Sequence, residues 1–233
     1  MKVAAIVPAY NEADRLDSVL DALQQASLVN QTIVVNDGST DDTYAVACRR
    51  QGVYALNLPQ NLGKGGAMHA GASSTDADVI VFLDADLVGL TGEQVDSIIR
   101  PVIDRRLDMC IGVFRGGRKL TDLAQIVTPY ISGQRAMLRQ MFLEVPGIQA
   151  VRSGVEVAMT RYFRANGLKI GTITLVGCSH VMKEEKMGCA RGFGARLRMY
   201  YEIGKILLDG RYFIAKHNGT VEGVLRLMRK KNL

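Results

Sequence analysis

The stretch "VIVFLDADL", Val79 to Leu87, decides how this chain is read. Five apolar residues run into two aspartates separated by one alanine. An apolar run without alternation reads as a strand buried on both faces. A carboxylate at the end of such a strand is costly to desolvate unless a cation or a set of donors meets it. Residues i and i+2 of an extended segment point the same way. Asp84 and Asp86 are therefore expected to project together from the strand's carboxyl end. A solvated turn is the plainer explanation of the pair, and the apolar run before it argues against that.

Working outward, strand and helix signals alternate through the first half. "KVAAIVP" reads as a buried strand, and "EADRLDSVLDALQQA" places Leu16, Val19, Leu20 and Leu23 on one helical face. "QTIVVND" is a second strand, after which Thr40 or Asp41 is expected to cap a helix running to about Arg50. "GVYALNL" is a third strand, and the turn "NLGKGGA" opens a helix to about Ser74. "DVIVFLDADL" is the fourth strand, "TGEQVDSIIRPVIDRR" a helix that must accommodate Pro101, and "DMCIGVF" a fifth strand. This alternation predicts an α/β fold, with a mostly parallel central sheet flanked by helices. Such sheets place ligands at the carboxyl ends of their strands.

Beyond Phe114 the pattern loosens. "RGGRKLTDLAQ" and "YISGQRAMLRQMF" read as a loop and a helix around glycine turns. "GVEVAMTRYFRANG" is a helix stopped by Gly167, and "LKIGTITLVGCSHV" a strand leading to the charged loop "MKEEKMG". "GFGARLRMYYEIGKILLD" and "TVEGVLRLMRKK" read as C-terminal amphipathic helices. Nothing repeats and no Pro/Ser-rich linker intervenes, so residues 1–233 are expected to form one unit.

The 233 residues are 48% hydrophobic and 22% charged, which excludes a mostly disordered chain. The four cysteines lie far apart without a CxxC pair, so neither a zinc cluster nor a disulfide framework is expected. A reducing cytoplasm fits that usage. No signal-peptide pattern and no apolar run of the ~20 residues needed for a span is seen. The net charge of +6 resides in the tail: residues 183–233 hold 12 Lys+Arg against 5 Asp+Glu. Composition argues against a nucleic-acid partner, because there is no Trp and no aromatic platform among the basic residues.

Four features fall on one predicted rim: "PAYNE" (8–12), "NDGSTD" (36–41), "NLGKGGA" (61–67) and "DADL" (84–87). Singly, each is an ordinary strand end or turn. Together they follow the logic of a nucleotide site. Glu12 and Asp37 can accept hydrogen bonds from base or ribose donors, and backbone around Ala9 can meet the base edge. Lys64, between Gly63 and Gly65, supplies a cation where backbone must approach closely. A metal chelated by diphosphate needs only one or two protein carboxylates, which the Asp84–Ala85–Asp86 pair can provide.

"VPAYNE", "VVNDGSTDDT", "NLGKGGAM" and "FLDADL", in this order, resemble the nucleotide-sugar half of glycosyltransferases with the GT-A fold. The resemblance implies that residues 1–114 bind a nucleotide-diphospho-sugar, UDP-glucose foremost, through Pro8, Ala9, Tyr10, Glu12, Asp37, Gly38, Lys64, Asp84 and Ala85. It implies Mg²⁺ or Mn²⁺ on Asp86. "DDGS", usual in that family, is "NDGS" here. In residues 115–190, "GGRKLTDL", "SGQRAM", "GVEVAMT" and "SHVMKEEK" resemble the glucosyl-3-phosphoglycerate synthase group, with a similar layout in polyprenyl-phosphate sugar synthases. That likeness implies an acceptor phosphate held by Arg118 and Thr121, with Ser132, Gly133, Gln134 and Arg135 nearby. It places Glu156 beside sugar and acceptor, and His180 with Asp86 on the metal. "SGQR" departs from the acidic "GGE" of that group.

Read from the residues alone, Glu156 in an apolar helical segment calls for a partner, an ordinary one being Arg152 or Arg161. Arg118 and Arg135 in glycine-bearing loops suit a bidentate grip on phosphate or carboxylate. The catalytic set is then Lys64, Asp86 and Glu156. Glu156 serves as general base in an inverting enzyme, or orients groups in a retaining one, which the resemblance implies. The acceptor is a small phosphorylated acid or a lipid phosphate. The basic tail helices rest on an anionic membrane, on a second subunit of a homodimer, or on the domain itself. A non-catalytic nucleotide-sugar binder is the alternative of another class. A dehydrogenase is disfavoured, since no GxGxxG follows the first strand.

Overall fold

In the computed structural model, residues 1–115 and 132–180 are described. Seven strands make one sheet: β1 (Val3–Ala9), β2 (Gln31–Asn36), β3 (Val53–Asn57), β4 (Val79–Phe82), β6 (Met109–Arg115), β7 (Arg135–Leu138) and β8 (Ile170–Val176). Their spatial order is β3-β2-β1-β4-β7-β6-β8. A separate antiparallel pair joins β5 (Leu87–Val88) to β9 (Ser179–His180). The helices are α1 (Leu16–Gln25), α2 (Thr43–Arg49), α3 (Lys64–Ser73), α4 (Gly92–Ile103), α5 (Arg139–Leu143) and α6 (Val155–Ala165).

Strands β1 and β4 are buried along nearly their whole length, as their continuous apolar sequences require of central parallel strands. Each Val or Ile buried there contributes about 2 kcal/mol. Helix α1 turns Leu16, Val19, Leu20 and Leu23 to the core, the face that the periodicity predicts. Helix α4 opens with a capping box between Thr91 and Gln94 and takes Pro101 into its last turn. Gly167, at φ +67°, follows the end of α6 as expected.

Three local expectations are corrected. Strand β4 ends at Phe82, five residues before the predicted end, so Asp84 lies past the strand and Asp86 in the turn that follows. Residues 135–138, expected in a loop and helix, form β7, antiparallel to both β4 and β6. Asp41 bonds the Thr43 amide, but the residue at the helix N-cap is Asp42, which makes no side-chain cap. Arg118, Thr121, the charged loop after Val181 and the C-terminal helices lie outside the described residues. Among the described residues no helix is long and apolar enough to cross a membrane.

Candidate active site

The predicted rim exists, and its loops are bonded to one another. The Asp37 amide donates to the Ala9 carbonyl at 2.9 Å, extending the register that pairs Ala9 with Asn36. Asn11 sits at φ +56°, donating its amide to Ser39 Oγ and accepting the Thr40 amide on Oδ1. The Glu12 amide donates to Thr43 Oγ1, and the Ala13 amide to Asp41 Oδ2. Glu12 itself pairs with Arg15 at 3.3 Å. Pro8 is half-buried and Ala9 buried, while Tyr10 is exposed beside them.

Asp37 does not reach outward. Its two carboxylate oxygens accept the Leu62 and Gly63 amides at 2.7 and 2.9 Å, and only 3% of the residue is exposed. Burial raises its pKa against the lowering effect of those two bonds and of Arg152. Asp37 thus clamps the glycine-rich turn. Gly38 must be glycine twice over: its φ is +68°, and a Cβ would stand 2.7 Å from the Asn61 nitrogen.

The glycines around Lys64 serve a protein neighbour. A Cβ on Gly63 would meet Arg152 Cα at 2.8 Å, and one on Gly65 would meet the Ile148 carbonyl at 2.3 Å. The Lys64 and Gly65 amides donate to the Arg152 and Val151 carbonyls. These two amides of the α3 N-terminus are therefore engaged by the segment leading to Glu156. Close approach was expected there, but to a phosphate.

That docking gathers the charged centre. Lys64 Nζ donates to Asp84 Oδ1 and to Glu156 Oε1, each at 2.5 Å. Glu156 is 8% exposed in the first turn of α6, where the helix end favours negative charge. Its partner is Lys64, rather than Arg152 or Arg161 as an ordinary pairing would have it. Burial works to lower the Lys64 pKa, but the two carboxylates outweigh it and hold the ammonium above its ordinary value. The other Asp84 oxygen accepts from Gln134 Nε2 at 2.9 Å. Ser132 Oγ lies 2.8 Å from Gln134 Oε1 and also bonds the Gly112 carbonyl. A Cβ on Gly133 would sit 2.3 Å from Asp84 Oδ2, so glycine leaves the room that this carboxylate fills.

The 132–135 segment consequently departs from its expected role. Ser132, Gly133, Gln134 and Arg135 are buried; Gly133 and Gln134 back Asp84 directly, and Ser132 does so through Gln134. Arg135 is 0% exposed and bonds the Ser132 carbonyl, the Glu156 carbonyl and Thr160 Oγ1. Direct contact with an acceptor is excluded for a guanidinium so enclosed. Reading "GQR" as a surface loop missed this, because the segment enters a central strand.

Asp86 is half-buried, and Ala85 before it is buried. Strand pairing sets the His180 backbone across from Leu87, one residue from Asp86. The His180 imidazole lies outside what the structure describes. Among the described residues, no three His, Cys, Asp or Glu groups are arranged to hold a metal ion. The Asp86 carboxylate is the described donor, and one carboxylate suits a divalent ion that takes its other ligands from phosphate oxygens and water.

This sheet, with its carboxylate turn after the fourth strand, is the GT-A arrangement. It superposes on the crystal structure of glucosyl-3-phosphoglycerate synthase from Mycobacterium tuberculosis in complex with Mn²⁺, uridine diphosphate and glucosyl-3-phosphoglycerate. The TM-score is 0.72 at 26% identity, over 93% of this chain and 81% of that one. Residues 4–163 match the model of glycosyl transferase family 2, and the chain belongs to that family. The Mycobacterium tuberculosis synthase is 28% identical across 67% of this chain, which spans 59% of that relative's length. The dolichyl-phosphate β-glucosyltransferase of Drosophila melanogaster is 41% identical across 37% of this chain and 31% of its own.

Proposed function

We propose that this chain transfers a hexose, glucose foremost, from a UDP-sugar to a small phosphorylated acceptor such as 3-phosphoglycerate. The observation that carries the reading is the Lys64 ammonium held between Asp84 and Glu156 on the rim of a family 2 sheet. The synthase of similar fold, crystallised with Mn²⁺ and UDP, supports the donor.

In this reading the donor lies along the rim from Ala9 to Asp84, with its diphosphate toward Lys64. Asp86 and His180 would hold Mg²⁺ or Mn²⁺, which supplies positive charge to the diphosphate oxygens when bound. The sugar C1–O bond breaks, and its electron pair stays on the departing diphosphate, which Lys64 stabilises. The acceptor hydroxyl bonds to C1. Glu156 already spends a carboxylate oxygen on the Lys64 ammonium 2.5 Å away, an arrangement suited to holding a position. The acceptor proton then passes to the leaving phosphate oxygen, Glu156 orients the sugar and acceptor, and the anomeric configuration is retained. Arg118 and Thr121 are assigned to the acceptor phosphate by resemblance alone.

A lipid-phosphate acceptor is the second reading, favoured by the 41% identity to a dolichyl-phosphate β-glucosyltransferase over 37% of this chain. One assay addresses both. The purified chain is given UDP-glucose and Mn²⁺ with 3-phosphoglycerate, glycerate or a prenyl phosphate, and UDP release and product anomer are measured. Acceleration by 3-phosphoglycerate with an α-linked product is expected. Acceleration by prenyl phosphate alone transfers the conclusion to the lipid reading, and no UDP release from any nucleotide sugar overturns both.

A further inference from the structure

Arg135 begins β7 with no exposed surface, inside a sheet whose other central positions are apolar. Nothing in a strand's sequence pattern asks for a guanidinium there. Its contacts show where the charge is used. Nε donates to the Ser132 carbonyl at 2.8 Å, and Nη1 to the Glu156 carbonyl at 3.0 Å and Thr160 Oγ1 at 2.9 Å. Thr160 Oγ1 donates in turn to the Glu156 carbonyl at 2.8 Å. Residues 156 and 160 are one helical turn apart, so a single side chain fixes the first turn of α6. Burial lowers the Arg135 pKa to about 10, against opposing pulls from Glu156 and Asp84, so it stays a cation at neutral pH.

Four charges thus share one enclosure: Lys64 and Arg135 against Asp84 and Glu156. The two cations are not equivalent. The Lys64 side chain is 30% exposed and Arg135 is sealed. An arriving diphosphate competes for Lys64 and cannot reach Arg135. We propose that Arg135 is a positioning residue for the transfer step. It fixes the turn carrying Glu156, and it remains as the standing counter-charge to the buried carboxylates when Lys64 turns to the donor's diphosphate. This inference rests on the function proposed above, and its test separates the two.

Arg135→Met and Arg135→Lys are compared with the parent for UDP affinity by calorimetry and for Mn²⁺-dependent transfer from UDP-glucose. In Arg135→Met we expect kcat to fall about 50-fold while KM for UDP-glucose and UDP affinity stay within about threefold. Arg135→Lys, which keeps the charge without the fork, is expected to recover about tenfold of the loss. A folded Arg135→Met with kcat near the parent's overturns the proposal, as does UDP affinity falling in step with kcat. If Arg135→Met does not fold, Arg135→Lys carries the same kinetic test, with an unchanged kcat overturning the proposal.

Melting temperatures supply a readout free of activity. Arg135→Met is expected to lower the midpoint by about 8 °C, and by about half as much in a Glu156→Gln background. Equal shifts in both backgrounds overturn the coupling to Glu156. If the parent releases no UDP from any donor, the proposed function fails on its own account, and these melting shifts alone judge Arg135.

Discussion

Around Asn11, Asp37 and Asp41, polar side chains accept main-chain amides and tie one loop to the next. Around Asp84 and Glu156, side chains meet side chains: an ammonium, two carboxylates and an amide, with a guanidinium behind them on the Glu156 main-chain carbonyl. The first plan fixes a path for the backbone and tolerates neighbours of many kinds. The second fixes charge at a point, and each member depends on the others remaining in place. A rim that receives a nucleotide needs shape from the first region and electrostatic work from the second.

Variants separate the two plans, and the largest effect is expected beside the charged centre. Asp86→Ala should cut UDP release from UDP-glucose about 10³-fold, some 4 kcal/mol of transition-state stabilisation. Activity within tenfold of the parent would remove Asp86 from the mechanism. Lys64→Met leaves two carboxylates facing each other without their shared cation. A loss of about 2–3 kcal/mol is expected in urea unfolding. The sign of its pH dependence follows from a folded pKa above the ordinary lysine value of about 10.4. The stabilisation is complete below that value and fades as pH rises through the folded pKa. The difference between parent and variant should therefore be flat from about pH 6 to 9, and a steep slope there would contradict the assigned pairing.

Gly133→Ala comes next. The atom in its way is Asp84 Oδ2, held by Gln134 while Lys64 holds Oδ1, so the carboxylate must move. We expect about 1–2 kcal/mol lost in urea, and a proportionally larger fall in turnover. Stability lost with turnover intact would place Asp84 outside the chemistry. Asp41→Asn, in the loop region, is the smallest. Burial pushes the Asp41 pKa up, but bonds from Thr43 and Ala13 outweigh it and hold it below the ordinary value. Its contribution is present above about pH 4, the unfolded value, and lost as pH falls through the folded one. The residue is exposed, so solvent screening leaves a few tenths of a kcal/mol. Calorimetric melts at pH 7 should show that gap, narrowing toward pH 3. A gap that widens on acidification would reverse the assignment.

The same contrast explains what the sequence made legible. In the loop region each tie joins motifs that directly follow predicted strands, so the strand pattern brought the segments of Asp37 and Lys64 to one rim, and the resemblance added Gly38. The parallel strands to Phe114 were legible for the same reason, through runs that are apolar on both faces. The buried charge network is non-local. Gln134 reaches Asp84 across 50 positions and Lys64 reaches Glu156 across 92, distances at which no periodicity operates. Strand β7 was hidden because "RAML" lacks β-branched residues and continues into "RQMF", a helical pattern. Its pairing with β4 and β6 decided the outcome against local propensity. The early end of β4 was invisible because Leu83 is as buried as the strand before it.

Strand β7 runs against its neighbours, and its first residue, Arg135, pairs with Phe82 at the end of β4 and with Ile111 within β6. Arg115, the last residue of β6, and Ser132, just before β7, are thus two posts on one side of the sheet. An exchange of the sixteen positions between them for those of a relative is a transplant that leaves every described strand pairing intact. We expect such a chimera to keep its grip on UDP and change its choice of acceptor, and calorimetry with UDP beside an acceptor panel would show whether the two properties part company.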